Sequence, residues 1–172
     1  MDAGLAALLG AAVGSLATLG AAIVNGRAAA RSQFGQWRRQ HRRDAYANYL
    51  GALHDRDIAM DAIFAALLPD IPDLQDIDEK VQRFVVLARE VHRAVEIVVL
   101  EGPSSVVKAA EQVTHTSGKL SEVMRRMVQN AHAGDASLKA TDGALAAERQ
   151  HLLYQAVKSF RTAAGDVLGS AD

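Results

Sequence analysis

Glu148 and His151 are the residues of this chain whose types and spacing come closest to doing chemistry. Three positions apart on a helix, they share a face. A Glu-x-x-His pair on each of two helices, with further carboxylates, would hold two metal ions inside a bundle. The second pair is missing: Glu111 and His115 are four apart, as are His92 and Glu96. The six histidines (His41, His54, His92, His115, His132, His151) show neither H-E-x-x-H nor another regular ligand spacing, so zinc chemistry has no support. Cysteine is absent, which removes thiolate metal sites and disulfides.

Nucleophilic and phosphate chemistry fare no better. Ser104, Ser105 and Ser117 read as a helix cap and seam fillers, and no local pattern pairs them with a base. Gly10-Ala11-Ala12-Val13-Gly14 lies within an apolar run and lacks the lysine of a phosphate loop. The expectation is therefore no catalytic, cofactor or metal site, and a non-enzymatic protein. One polar pair remains. Asp57 interrupts an apolar seam, and Arg149 sits at a comparable break near the other end of the chain. A buried Asp57–Arg149 pair would fix helix register more than it would add stability, whereas a small rotation would leave both at the rim.

The elements that would position these residues start with Ala3 to Val24, twenty-two residues without a charge. About 20 apolar residues cross a bilayer, so the stretch is long enough. Leu5, Leu8, Leu9, Val13, Leu16, Leu19, Ile23 and Val24 favour insertion by roughly 2–5 kcal/mol together, while the interspersed glycines oppose it. Insertion is marginal, and a partner helix would help. Ala6, Gly10, Gly14, Thr18 and Ala22 recur every four residues, a small-residue stripe suited to close helix packing in lipid.

Behind this stretch come Arg27, Arg31, Trp37, Arg38, Arg39, Arg42 and Arg43, a collar for lipid headgroups with Trp37 as interface anchor. The arginines place their own side in the cytoplasm and the N-terminus outside. A cleavable signal peptide would carry its bases first, but here Met1-Asp2 precedes the apolar run. A third reading buries Ala3–Val24 as a helix of a soluble bundle.

The near-neutral total of −1 hides an asymmetry. Residues 1–43 hold six bases and one acid, and the remainder is net acidic, which excludes a nucleic-acid face on the body. Hydrophobic residues make up 49% of the chain but aromatics only 5%, a balance that favours helices over strands. Four apolar seams follow at alternating spacings of three and four. The first is Tyr46, Leu50, Leu53, Asp57, Met60, Phe64 and Leu67, ended by Pro69 and Pro72. The second, opened by a capping box at Asp76 and Glu79, is Ile77, Val81, Phe84, Ala88, Val91, Val95 and Val98. The third, capped by Ser104 or Ser105, is Val106, Ala110, Val113, Ser117, Leu120, Met124, Met127 and Ala131. The fourth, starting near Thr141 or Asp142, is Leu145, Leu152, Ala156, Phe160, Ala163 and Val167, widened by Leu153 and Val157.

The fold class expected is all-α: a single N-terminal transmembrane helix continuing into an antiparallel four-helix cytoplasmic bundle. Its parts are an anchor at 1–26, a basic collar at 27–43 and the bundle at 44–172. Trp37-Arg38-Arg39-Gln40-His41-Arg42-Arg43-Asp44-Ala45-Tyr46 resembles the W-R-R-Q-x-R-R-x-A-Y stretch of a loose group of small actinobacterial proteins. In that group it follows an Ala/Gly-rich span. The resemblance covers about the first 50 residues and implies no activity and no functional residue.

The function expected is a membrane-anchored interaction or scaffold protein. Its partners are membrane lipid, a second copy or another transmembrane helix along the stripe, and a cytoplasmic protein of unknown identity. The alternative is a holin-like or toxin effector that perturbs the membrane, against which the span offers little polar lining beyond Ser15 and Thr18.

Overall fold

The computed structural model describes residues 2–169, with side chains described from residue 33 onward. The described residues form four helices: α1 (Asp2–Ala66), α2 (Leu74–Glu101), α3 (Ser104–His132) and α4 (Lys139–Gly169). The chain divides into two units, Met1–Gln40 and His41–Asp172, and the second is an all-α helical bundle. The span expected at Ala3–Val24, its stripe (Ala6, Gly10, Gly14, Thr18, Ala22) and the collar residues Arg27 and Arg31 lie outside the residues whose side chains are described. Among the residues whose side chains are described, no helix is long and apolar enough to cross a membrane.

Each reversal of the bundle has a local cause. Pro69 and Pro72 break the chain after α1, and Asp73 starts α2: its carboxylate accepts from the Gln75 and Asp76 amides at 3.0 and 3.2 Å. The N-cap is therefore Asp73, three residues before the Asp76 expected from the sequence. Asp76 instead occupies the first turn and pairs with Lys80. Pro103 begins α3 with no side-chain cap, so neither Ser104 nor Ser105 fills that role. α3 ends on Gly134, whose φ of +66° suits glycine. The Gly134 amide donates to the Ala131 carbonyl at 3.1 Å and the Asp135 amide to Asn130 at 2.9 Å, the paired bonds of a Schellman ending. Asp135 then accepts from the Ser137 amide at 2.9 Å, and the hydrogen bonds from Ser137 hold its carboxyl below the usual range.

The second and third seams face the core as their spacing implies. Ile77, Phe84, Val95 and Val98 of α2 are buried, as are Val106, Ala110, Val113, Leu120 and Met124 of α3. Along α1 and α4 the buried line departs from the expected one by a residue at several positions. On α1, Tyr49, Arg56 and Ile63 are buried where Leu50, Asp57 and Phe64 were expected. On α4, Ala146 and Ala164 replace Leu145 and Ala163, and Leu153, expected only to widen the face, is buried while Leu152 is exposed. Both helices carry apolar residues at adjacent positions, about 100° apart on the helix, so spacing alone does not choose between them. Packing chooses. The Tyr49 ring meets Phe160 of α4 edge-on at 5.0 Å, and Tyr46 meets the same ring at 6.0 Å.

Small residues at 146, 156 and 164 let α4 approach α3 closely, and this contact is more extensive than that between α2 and α3. Cations from neighbouring helices satisfy carbonyls at two helix ends. Arg42 of α1 donates through Nε to the Glu101 carbonyl at 2.8 Å, at the end of α2. Lys139 of α4 donates to the Leu68 and Pro69 carbonyls at 2.9 and 2.7 Å, just past α1. Neither α1 nor α2 has a basic residue in its own last turn, so tertiary contact supplies the charge that favours a helix C-terminus.

Candidate functional site

The α1 rotation places Arg56, a residue that sequence reasoning left unassigned, in the interior. Only 3% of it is exposed. Removing a guanidinium from water costs several kcal/mol unless partners replace the lost hydration. Two are present: Nη1 donates to the Ser117 hydroxyl of α3, and Nη2 to the carboxylate of Asp57. Asp57 is itself 41% exposed, so the counter-charge stands partly in solvent. Arg56 Nε has no partner among the described residues.

Arg56 lines a cavity of about 180 Å³ between α1, α2 and α3. Phe84, Ala88, Val91 and Val95 of α2 form its apolar wall, and Thr114, Ser117 and Ser121 of α3 its polar one. Tyr49, two turns before Arg56 on α1 and fully buried, lines the same space. Among the described residues its hydroxyl has no hydrogen bond of good geometry, although the Thr114 hydroxyl lies near enough to offset part of the effect of burial. Thr114 itself donates to the Ala110 carbonyl at 3.0 Å. Burial pushes the Tyr49 phenol up to about 12. At the end of the bundle near His41, burial likewise raises Tyr46, partly opposed by Arg42. The Tyr46 hydroxyl is also unpartnered among the described residues.

The opposite end of the bundle holds a second polar feature. Asp142, 2% exposed, accepts from Arg126 Nε at 3.1 Å on both oxygens and from Nη2 at 2.5 Å. These hydrogen bonds raise the Arg126 guanidinium further above its ordinary value. Beside the pair lies a cleft of about 330 Å³, lined by Leu67, Pro72, Met127 and Lys139 among others. Leu68 and Ile71, at 74% and 91% exposure, project from the neighbouring loop.

Among the described residues no ion pair joins Asp57 to Arg149. Asp57 pairs with Arg56, while Arg149 lines a groove between α3 and α4 with His115 and Gln155. The side chain that enters the seam is its neighbour Arg56, so the register element joins α1 to Ser117 of α3. A signal existed in the sequence: Ser117 interrupts an otherwise apolar α3 seam, and a small hydroxyl opposite an arginine is a usable acceptor. Among the described residues no three or more His, Asp or Glu groups cluster as metal ligands, and Glu148 and His151 are both exposed.

Of the collar, Trp37, Arg38, Arg39 and Arg43 are exposed, and Phe34 stacks on Trp37 with ring centroids 5.9 Å apart. Arg42 differs: it is half-buried and engaged at the end of α2, which ties it to the bundle. Comparison of the chain with protein-family models, with curated proteins and with solved structures returned no match.

Proposed function

We propose that this is a membrane-anchored, non-enzymatic interaction protein whose helical bundle is held in the cytoplasm at the membrane surface. The observation that carries this reading is the exposed Phe34–Trp37 stack flanked by exposed Arg38, Arg39 and Arg43. It follows within ten residues of the charge-free stretch Ala3–Val24. Aromatic rings beside arginines match the chemistry of a lipid headgroup layer, at about 1 kcal/mol per base near an anionic surface. Ala3–Val24 crosses the bilayer as a single helix with its N-terminus outside, and Ala6, Gly10, Gly14, Thr18 and Ala22 pair it with a second copy or another helix. The exposed Leu68 and Ile71, beside the cleft at the other end of the bundle, offer apolar surface to a cytoplasmic partner.

Membrane fractionation of the full chain with alkaline carbonate washing tests the anchor. The chain stays in the pellet if Ala3–Val24 spans the membrane; release of the whole population by carbonate removes the proposal. For the stripe, crosslinking in membranes compares wild type with Gly10→Ile and Gly14→Ile. Loss of the crosslinked species is expected, and unchanged oligomers end the assignment of these residues to packing.

A further inference from the structure

We propose that the outer face of α2 pairs with the same face of a second copy of this chain, antiparallel, about a two-fold axis between residues 91 and 92. This inference goes beyond the membrane reading and does not rest on it.

The buried line of α2 is Ile77, Phe84, Val95 and Val98. The opposite side of such a helix is ordinarily polar. α3 follows that rule: among the described residues it exposes no large apolar side chain, whereas α2 exposes six. Three of these, Val86 at 55%, Ile97 at 48% and Leu100 at 82%, stand on the side of α2 opposite its buried line. Glu90 and Arg93 lie between them on the same side, both exposed and, among the described residues, without an ion-pair partner. Val86, Glu90, Arg93, Ile97 and Leu100 are spaced by four, three, four and three, the seam of a two-helix coil.

The order of residues along this seam decides what covers it. Turned end for end about the point between residues 91 and 92, the seam matches itself. Val86 of one protomer falls opposite Ile97 of its partner, Glu90 opposite Arg93, and Arg83 opposite Leu100. Each match occurs twice, and the layers extend over about 25 Å of helix. Apolar side chain meets apolar side chain, carboxylate meets guanidinium, and the methylenes of Arg83 cover the most exposed leucine of α2. A parallel pair would set Glu90 against Glu90 and Arg93 against Arg93, which like-charge repulsion disfavours. A different protein, or lipid, would not require the face to complement its own reverse. A seam of this length lies at the small end of protein interfaces, so pairing is expected at micromolar concentration.

The chain contains no cysteine, so introduced thiols report single positions. Full-length Val86→Cys and Ile97→Cys are purified separately in detergent, mixed at high micromolar concentration and treated with a short bismaleimide. The mixture is expected to give a covalent dimer, and each variant alone little. In this register the two copies of either position lie about 16 Å apart along the axis. Glu90→Arg and Arg93→Glu, placed one at a time in both cysteine variants, each lower the dimer yield about tenfold by setting like charges opposite each other, and combining them restores it. All four positions are exposed, so the variants fold, which helical circular dichroism checks. The proposal is overturned by no dimer from the mixture, the result if lipid or another protein covers this face. It is overturned equally by Val86→Cys alone crosslinking as well as the mixture, the sign of parallel pairing or random collision. Charge variants that pair as before, or a combined variant as weak as the single ones, also overturn it. Association through Gly10 and Gly14 alone leaves the charge variants without effect, and so is told apart from pairing through α2.

Discussion

Tyr49 makes the bundle sensitive to alkaline pH in a way that can be worked from the structure. Its phenol is raised from 10 to about 12, chiefly by burial, so the folded chain holds this proton more tightly than the unfolded chain does. Below pH 10 both states are protonated and the contribution is fully present. As pH rises through 10 the unfolded state loses its proton first, and stability falls until the folded group titrates near 12. At about 1.4 kcal/mol per unit, the loss is about 1.4 kcal/mol by pH 11 and about 2.3 kcal/mol by pH 12. Urea unfolding followed by helical circular dichroism, at pH 9 and pH 11, measures it. All other groups are common to the two proteins, so the informative quantity is the difference between wild type and Tyr49→Phe. Wild type should lose about 1.3 kcal/mol more than Tyr49→Phe between these two pH values. At pH 7 the variant should be about as stable as wild type, because the hydroxyl it lacks is buried and, among the described residues, has only the Thr114 hydroxyl near it. Equal losses in the two proteins refute the buried-phenol account.

Three further outcomes follow from particular contacts. Gly118→Ala, in open space within α3, should stabilise by about 1 kcal/mol, whereas Gly134→Ala, at a positive φ, should destabilise by about 1–2 kcal/mol; thermal melts of the two variants should move in opposite directions. Gly102→Ala would place its Cβ 2.7 Å from the Val98 carbonyl oxygen, with the Tyr46 hydroxyl and Val106 at 3.5 Å, and should cost about 1–3 kcal/mol in urea unfolding. Asp142→Ala removes the acceptor of three charged hydrogen bonds and should cost about 1.5–3 kcal/mol. Arg126→Ala should be the more damaging of that pair, since it leaves a buried carboxylate unpaired whereas Asp142→Ala leaves a half-exposed arginine that water can reach.

The seams of α2 and α3 were legible because one line of apolar residues keeps the three-and-four spacing through each helix: Ile77, Phe84, Val95 and Val98, or Val106, Ala110, Val113 and Leu120; apolar neighbours such as Val85, Val86 and Ile97 stand beside that line without extending it. α1 and α4 were legible as helices but not in rotation. Tyr49 beside Leu50, Ile63 beside Phe64 and Leu152 beside Leu153 satisfy the same period equally well. That one-residue ambiguity decided the candidate site, because it exchanged Asp57 for Arg56 at the core. The caps were misplaced for a related reason. Asp73, Asp76, Ser104 and Ser105 can all accept from a helix amide, and the prolines around them set where the chain turns.

By itself, then, the sequence determined an all-α chain, its four-helix punctuation and the separation of an arginine-rich stretch from an acidic body. Each of these follows from local periodicity, proline placement and charge order along one segment. Only the tertiary structure decided which side chains share a neighbourhood. It set Arg56 against Ser117, 61 positions away, and Arg126 against Asp142. It also brought Arg42 and Lys139 to helix ends whose own last turn holds no base. Those pairings depend on how far each helix is turned about its own axis. That angle is fixed by the fit of Tyr46 and Tyr49 around Phe160 and by the close approach of α4 to α3, neither of which a one-dimensional pattern contains.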